Sequence, residues 1–271
     1  MQEIYRGIWV VSHREWLRFL KQRSRVLGSL AFPLMLLVIF GVGLGRTIGE
    51  MSPGVDYLKF VYPGLITMSV LESSMSTGLS VLWDKEFGFL REILVTPLNR
   101  SGVILGKAVG GGMVALAQAL LLLLLAPVLG ISLSPVVIVK VIPLLVLVSL
   151  SISALGILVA TWMRSSQGFQ MVDQLIIFPL MFLSGIFFPV NNVPVWLQVI
   201  AKVNPVSYGV DAVRQVILDG SSAAGSSLGA EQSLGINVLG HTMTVLEDAI
   251  VLVLLSLLLM TAAVWSFNRQ E

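Results

Sequence analysis

Residues Trp83–Lys107 read WDKEFGFLREILVTPLNRSGVILGK, and the fold turns on how they are taken. The chain is 56% hydrophobic and only 12% charged, yet this stretch carries Asp84, Lys85, Glu86, Arg91, Glu92, Arg100 and Lys107. Apolar residues alternate with the charges, and Phe87, Leu90, Ile93 and Leu94 recur at helical spacing. Thr96-Pro97 stops the pattern, because the residue before a proline avoids the α region. Apolar runs long enough to cross roughly 30 Å of hydrocarbon as helices lie on either side. The stretch reads as a short amphipathic helix clamped between two membrane helices and placed to be touched by another protein. The plainer alternative is an interfacial helix resting on lipid.

A mean hydropathy of +0.91 excludes a soluble globule. The runs are too long and uniform for barrel strands, so the fold class expected is an all-α integral membrane protein. Six spans are expected, over residues 26–46, 57–82, 103–129, 137–163, 168–188 and 249–267. The linker Arg164-Ser165-Ser166-Gln167 is short enough to make the fourth and fifth spans antiparallel neighbours.

Ahead of the first span, residues 4–22 place Tyr5, Ile8, Trp9, Trp16, Phe19 and Leu20 on one side of a helix. Arg14, Arg18, Lys21 and Arg25 fall on the other, the pattern of a helix lying in the membrane interface. Residues 189–218 hold two apolar pieces broken at Asn204-Pro205, each too short to span, which suggests a re-entrant pair. A flexible Gly/Ser-rich loop is expected to follow over residues 219–229.

With the N-terminus inside, that side holds six basic residues up to Arg25, then Lys85, Arg91, Arg100, Lys107, Arg164 and Arg269. The other side holds Arg46, Lys59, Lys140, Lys202 and Arg214. Twelve against five puts both termini and the 83–102 loop in the cytoplasm and the 189–218 pair outside.

Several chemistries are weighed against this plan. Gly102–Ala108 resembles a phosphate-binding loop but has the wrong glycine spacing, and Ala108 stands where a Ser or Thr should hold magnesium. Glu72 sits mid-span, where a charge costs about 2.5–3.5 kcal/mol on insertion scales. It reads either as facing a translocation path, or paired with a group such as Gln118, or as a structural carboxyl. Asp173 reads as structural. The chain has no cysteine, which excludes thiol chemistry. His13 and His241 form no metal-ligand pattern, so no metal is expected. Ser73, Ser74 and Ser76 lack a base nearby in sequence, and no catalytic residue is expected.

Taken whole, the chain resembles the permease subunits of the type-2 ABC exporters, which include drug-efflux and polysaccharide permeases. FGFLREILVTPLNRSGVILGK and SGIFFPVNNVPVWLQVIAKVNPVSYGVDAVRQVIL carry the resemblance, with the interfacial first helix and the six-span plan. The resemblance implies an interfacial helix over residues 1–25 and a transmembrane domain over 26–271. It implies that Glu86, Phe87, Phe89, Leu90, Arg91, Glu92, Ile93 and Leu94 form a coupling helix docking on a separate nucleotide-binding ATPase subunit. That partner would bind ATP and Mg, leaving this chain without a cofactor. Pro189, Trp196, Asn204, Pro205 and Arg214 would belong to an extracellular cap. A second permease copy, identical or related, and membrane lipid are the other partners implied; nucleic acid is not. The spans are aliphatic and aromatics make up only 8%, which tilts the substrate toward a small amphipathic or lipid-like molecule.

Overall fold

Nine α-helices make up nearly all of what the computed structural model describes, namely residues 2–44, 57–88, 100–131, 133–188, 190, 194–222, 237–238 and 241–269. They are α1 (Gln2–Lys21), α2 (Arg23–Leu37), α3 (Tyr57–Glu86), α4 (Arg100–Leu123), α5 (Pro135–Trp162), α6 (Ser166–Phe182), α7 (Val195–Val203), α8 (Pro205–Ser222) and α9 (Val245–Arg269). A π-helical segment, Val38–Leu44, continues α2, and a two-residue antiparallel pair, Asn237–Val238 with His241–Thr242, precedes α9.

Helix α3 is the axis of the bundle. It packs against α2, α4, α5, α6 and α8, and the stretch from Phe60 to Leu71 is buried throughout. Its tightest neighbour is α5: a Cβ on Gly78 would run into the backbone of Gly156, and one on Gly156 would lie 2.7 Å from the Met75 carbonyl oxygen. Glycine is required at this crossing because the two backbones touch. The outer flank of α5 holds α9 by hydroxyl contacts. Ser151 Oγ donates to the Leu252 carbonyl at 3.3 Å, and the Thr161 and Ser266 hydroxyls lie 2.9 Å apart.

Four stretches are long and apolar enough to cross a membrane: α3, Ser101–Leu129, α5 and α9. The segments Ile4–Lys21 and Val26–Phe40, bent 72° from one another, give a fifth if taken as one span. The chain is thus a multi-pass helical membrane protein with four to five candidate spans among the described residues, against six expected. At 17 residues α6 is the short one, ending at Phe182 in a turn rather than continuing to Phe188.

Three further readings change. A connection of only three residues, 163–165, joins α5 to α6, but α6 leans chiefly on α3, because α3, α4, α8 and α9 already occupy the sides of α5. Asp84, Lys85 and Glu86 form the last turn of α3 instead of opening a separate helix. Phe87 and Gly88 close that turn, Gly88 in the left-handed region at φ +74°. Helix α8 is 18 residues long and runs on to Ser222, into the expected Gly/Ser loop.

Helix α1 lies on α4 by a stripe that the aromatic pattern did not disclose. Cβ atoms on Gly102, Gly106 and Gly110 would lie 3.0 Å from Ile4 O, 3.0 Å from the Ile8 Cα and 3.1 Å from the Ser12 Cα. One glycine per helical turn of α4 lets the α1 backbone settle onto it. Tyr5 and Trp9 face away from that seam, about 70% exposed.

Candidate functional site: a charge cluster and a helix held at both ends

The side chains with the clearest chemistry stand where α1, the end of α3 and the start of α4 meet. Lys107 is all but inaccessible, its side chain 2% exposed. Its Nζ lies 2.7 Å from Glu15 Oε1 and 2.6 Å from Asp84 Oδ2, and donates to Ser80 Oγ at 2.7 Å. Arg14 Nη2 reaches both carboxylates, at 2.7 Å for Asp84 and 3.1 Å for Glu15. Two cations and two carboxylates thus neutralise one another, as buried charges must. Burial pushes the Glu15 carboxyl up, but the Lys107 ammonium and the Arg14 guanidinium outweigh it and hold Glu15 at about 2 against an ordinary 4.5.

The lysine that made residues 102–108 look like a phosphate loop therefore spends its charge on two carboxylates of its own chain. Glu15 carried no signal in sequence, and Asp84 stood out only as one of the charges of the 83–107 stretch. Only the α1–α4 seam brings them to Lys107.

Two residues beyond Asp84, Glu86 Oε1 accepts the backbone N–H of Ser166 at 2.6 Å. Ser165 is the N-cap of α6 and accepts from the Gly168 N–H at 3.1 Å. Two of the N–H groups that a helix start leaves without intrahelical partners are satisfied in this way. Phe87 is 82% exposed. Phe89, Leu90, Arg91, Glu92, Ile93 and Leu94 lie outside the described residues, as does Pro189.

The far end of α6 is held by the helices that follow it. Asn204 Nδ2 donates to the Leu180 carbonyl at 2.7 Å, Ser207 Oγ to Leu183 at 3.3 Å and Arg214 Nη2 to Gly185 at 2.6 Å. From α3, the Tyr57 hydroxyl donates to the Phe187 carbonyl at 3.0 Å. The carbonyls exposed where a helix ends find partners here in side chains. Asn204 also caps the next helix, since its Oδ1 accepts from the Val206 N–H at 2.9 Å where α8 begins at Pro205. Arg214 is buried, with its guanidinium carbon 4.0 Å from the centre of the Phe60 ring and its Nε donating to the Phe60 carbonyl at 3.3 Å. Trp196 stands apart, 64% exposed on α7.

Glu72 and Gln118 are not brought together. Gln118 Nε2 donates to Ser29 Oγ on α2 at 2.8 Å, because α2 rather than α3 faces it at that level. Glu72 has Asp173 of α6 within electrostatic range, and among the described residues neither accepts a hydrogen bond.

A bundle of apolar helices with glycine seams, an amphipathic first helix and a helix pair capping the far end of α6 defines a multi-pass helical membrane protein. The ABC-2 type transporter family matches residues 6–218, and the chain belongs to that family. The Cyanophora paradoxa protein ycf38, named as a transport permease, is 28% identical over 243 residues, covering 88% of this chain and 83% of its own. Nodulation protein J of Rhizobium meliloti (strain 1021) is 26% identical over 214 residues, covering 78% and 80%. YbhR of Escherichia coli (strain K12), named as a probable multidrug ABC transporter permease, is 32% identical over 176 residues, 63% of this chain and 47% of YbhR. The chain is a transport permease.

Proposed function

We propose that the chain is the membrane subunit of an ATP-driven exporter, with ATP and Mg held by a separate nucleotide-binding subunit. The observation that carries this reading is the construction at the 89–99 loop. Its leading end leaves α3 just after the buried Asp84 and the Glu86 joint, and its trailing end enters α4 a few residues before Lys107. A loop rooted this firmly in three helices can pass a push from a soluble partner into the bundle, which an idle connector has no need to do. Residues 86–94 are the docking segment. The 1–25 helix lies in the interface, and the 26–271 domain, with α6 as a further span, carries the substrate.

The twelve-to-five distribution of Lys and Arg puts both termini and this loop on the cytoplasmic face of the cell membrane. Two copies of the chain, or this chain and a related one, enclose the path. The substrate is a small amphipathic, drug-like or lipid-like molecule, consistent with aliphatic spans and the multidrug name that YbhR carries. Co-purification tests the docking assignment: Leu90→Asp or Arg91→Glu is expected to abolish ATPase association and export. Intact association in both variants sinks it.

A second reading has one observation in its favour. Glu72 and Asp173 are intramembrane carboxylates without hydrogen-bond partners among the described residues, as an ion-coupled carrier would require. Transport that survives ATP depletion and collapses in Glu72→Gln would select it.

A further inference from the structure

A small cleft opens where α1, α3 and α4 meet, next to the charge cluster. Arg18 and Phe19 of α1, Ser73 and Thr77 of α3, and Gly111 and Val114 of α4 line it, with Glu15 and Lys107 at its border. Its volume of about 20 Å³ admits one water-sized group, and it is partly open. Most of its polar groups are already engaged. Lys107, Glu15 and Ser80 bond to one another, and the Thr77 hydroxyl lies 3.4 Å from that of Ser153. Two groups are not. The Arg18 guanidinium has no ion pair or hydrogen bond among the described residues, only the face of the Trp83 ring 5.4 Å from its carbon. The Ser73 hydroxyl likewise makes no hydrogen bond among the described residues. The charges beside the cleft cancel, Arg14 and Lys107 against Glu15 and Asp84. Arg18 therefore leaves the cleft with one positive charge in excess, and a half-buried guanidinium with unused donors calls for an anionic acceptor.

We propose that this cleft binds the phosphodiester of one anionic phospholipid, with Arg18 on the phosphate and Ser73 donating to an acyl ester carbonyl. A phosphodiester whose headgroup is otherwise uncharged carries one negative charge, which matches the excess. The planar fork of arginine addresses two phosphate oxygens at once, and the floor of the cleft has room for one of them. Two features favour a lipid over a soluble anion. Arg18 lies over Trp83, and tryptophan is the residue of the membrane–water boundary, where lipid phosphates stand. The bend of 72° between the first two helical segments is flanked by Leu20 and Leu27, both exposed, an apolar surface suited to acyl chains rather than water. The site is independent of how transport is driven.

The test uses the full chain, purified in a nonionic detergent and stripped of lipid. Native mass spectrometry counts retained dioleoyl phosphatidylglycerol, and titration gives its Kd. Dioleoyl phosphatidylcholine, whose ammonium cancels the phosphate charge, is the comparison. The parent is expected to hold one phosphatidylglycerol in preference to phosphatidylcholine. Arg18→Gln is expected to weaken that Kd about tenfold or more, as the loss of a charge-assisted bond implies. Arg18→Lys keeps the charge without the fork and is expected to fall between parent and Arg18→Gln. Ser73→Ala is expected to bring a smaller loss. Lys21→Gln removes an exposed positive charge of the same helix outside the cleft, and is expected to stay within about twofold of the parent. Variants are compared where their unfolding midpoints without lipid match the parent's, and Arg18→Lys against Lys21→Gln decides if Arg18→Gln does not fold. Equal weakening in the Arg18 variants and Lys21→Gln overturns the site, leaving only general attraction by the basic face. A rise in the unfolding midpoint with sn-glycerol 3-phosphate as large as that with phosphatidylglycerol overturns the lipid and points to a soluble phosphate. No preference for phosphatidylglycerol in the parent overturns the proposal outright, since water then suffices to fill the cleft.

Discussion

Lys107 shows how much one residue's meaning depends on what lies beside it. In the sequence it is a lysine after a glycine; in the fold it is the centre of a cluster shared by three helices. Removing it leaves Arg14 as the cation facing Glu15 and Asp84, and taking one partner from a buried ionic set costs roughly 3–5 kcal/mol. Lys107→Met is expected to lower the thermal unfolding midpoint in detergent clearly, and adding Glu15→Gln to recover part of the loss. Glu15 also gives the cluster a pH dependence. Its carboxyl is depressed from 4.5 to about 2 in the folded chain, so its contribution is complete above 4.5 and fades as pH falls toward 2. Amide protection along α1, taken relative to the intrinsic exchange rate at each pH, should therefore fall between pH 4.5 and pH 2, and Glu15→Gln should remove that pH response. An α1 that stays equally protected at both ends of that range, in parent and variant alike, would separate the cluster from the seating of the helix.

At the scale of elements, two seams and one double cap decide the arrangement. Helix α1 is seated on α4 through Gly102, Gly106 and Gly110. Gly106→Leu must lift it away, at a cost of about 1–3 kcal/mol as for other overpacked sites. The expected result is proteolytic cleavage within α1 under conditions where the parent resists, with the rest of the bundle intact. Asn204 is the double cap, starting α8 through Oδ1 and finishing α6 through Nδ2. Asn204→Ala loses both, for which about 2 kcal/mol is expected from a lost cap and an unpaired carbonyl. Asn204→Asp keeps the cap but not the donor, and should fall between parent and alanine in thermal unfolding. The helices themselves were legible in sequence because apolar length and turn residues are local properties. The boundary at Asp84–Glu86 was not, since α3 carries its charges past the apolar run and ends only where Gly88 adopts positive φ.

Across the whole molecule, the bundle joins its two ends by three routes: α3 through the centre, α5 against it at Gly78–Gly156, and α6 along the edge. The first two are held by close backbone packing and carry stability. The third leans on α3 through Phe169 and Met181 and is hydrogen-bonded to its neighbours at its two ends. The sequence alone determined the membrane class, the existence of most of the helices and the break at Asn204-Pro205. Each is written in runs of neighbouring residues, where hydrophobic length, charge spacing and proline act directly. It left unread the pairing of Lys107 with Glu15 and Asp84, the reach of Glu86 to Ser166 and the grip of Asn204, Ser207 and Arg214 on the end of α6. Those partners stand far apart in the chain, and nothing in local spacing shows which helix faces will meet. Packing decided them, by bringing buried charges and unfinished helix ends to groups that satisfy them.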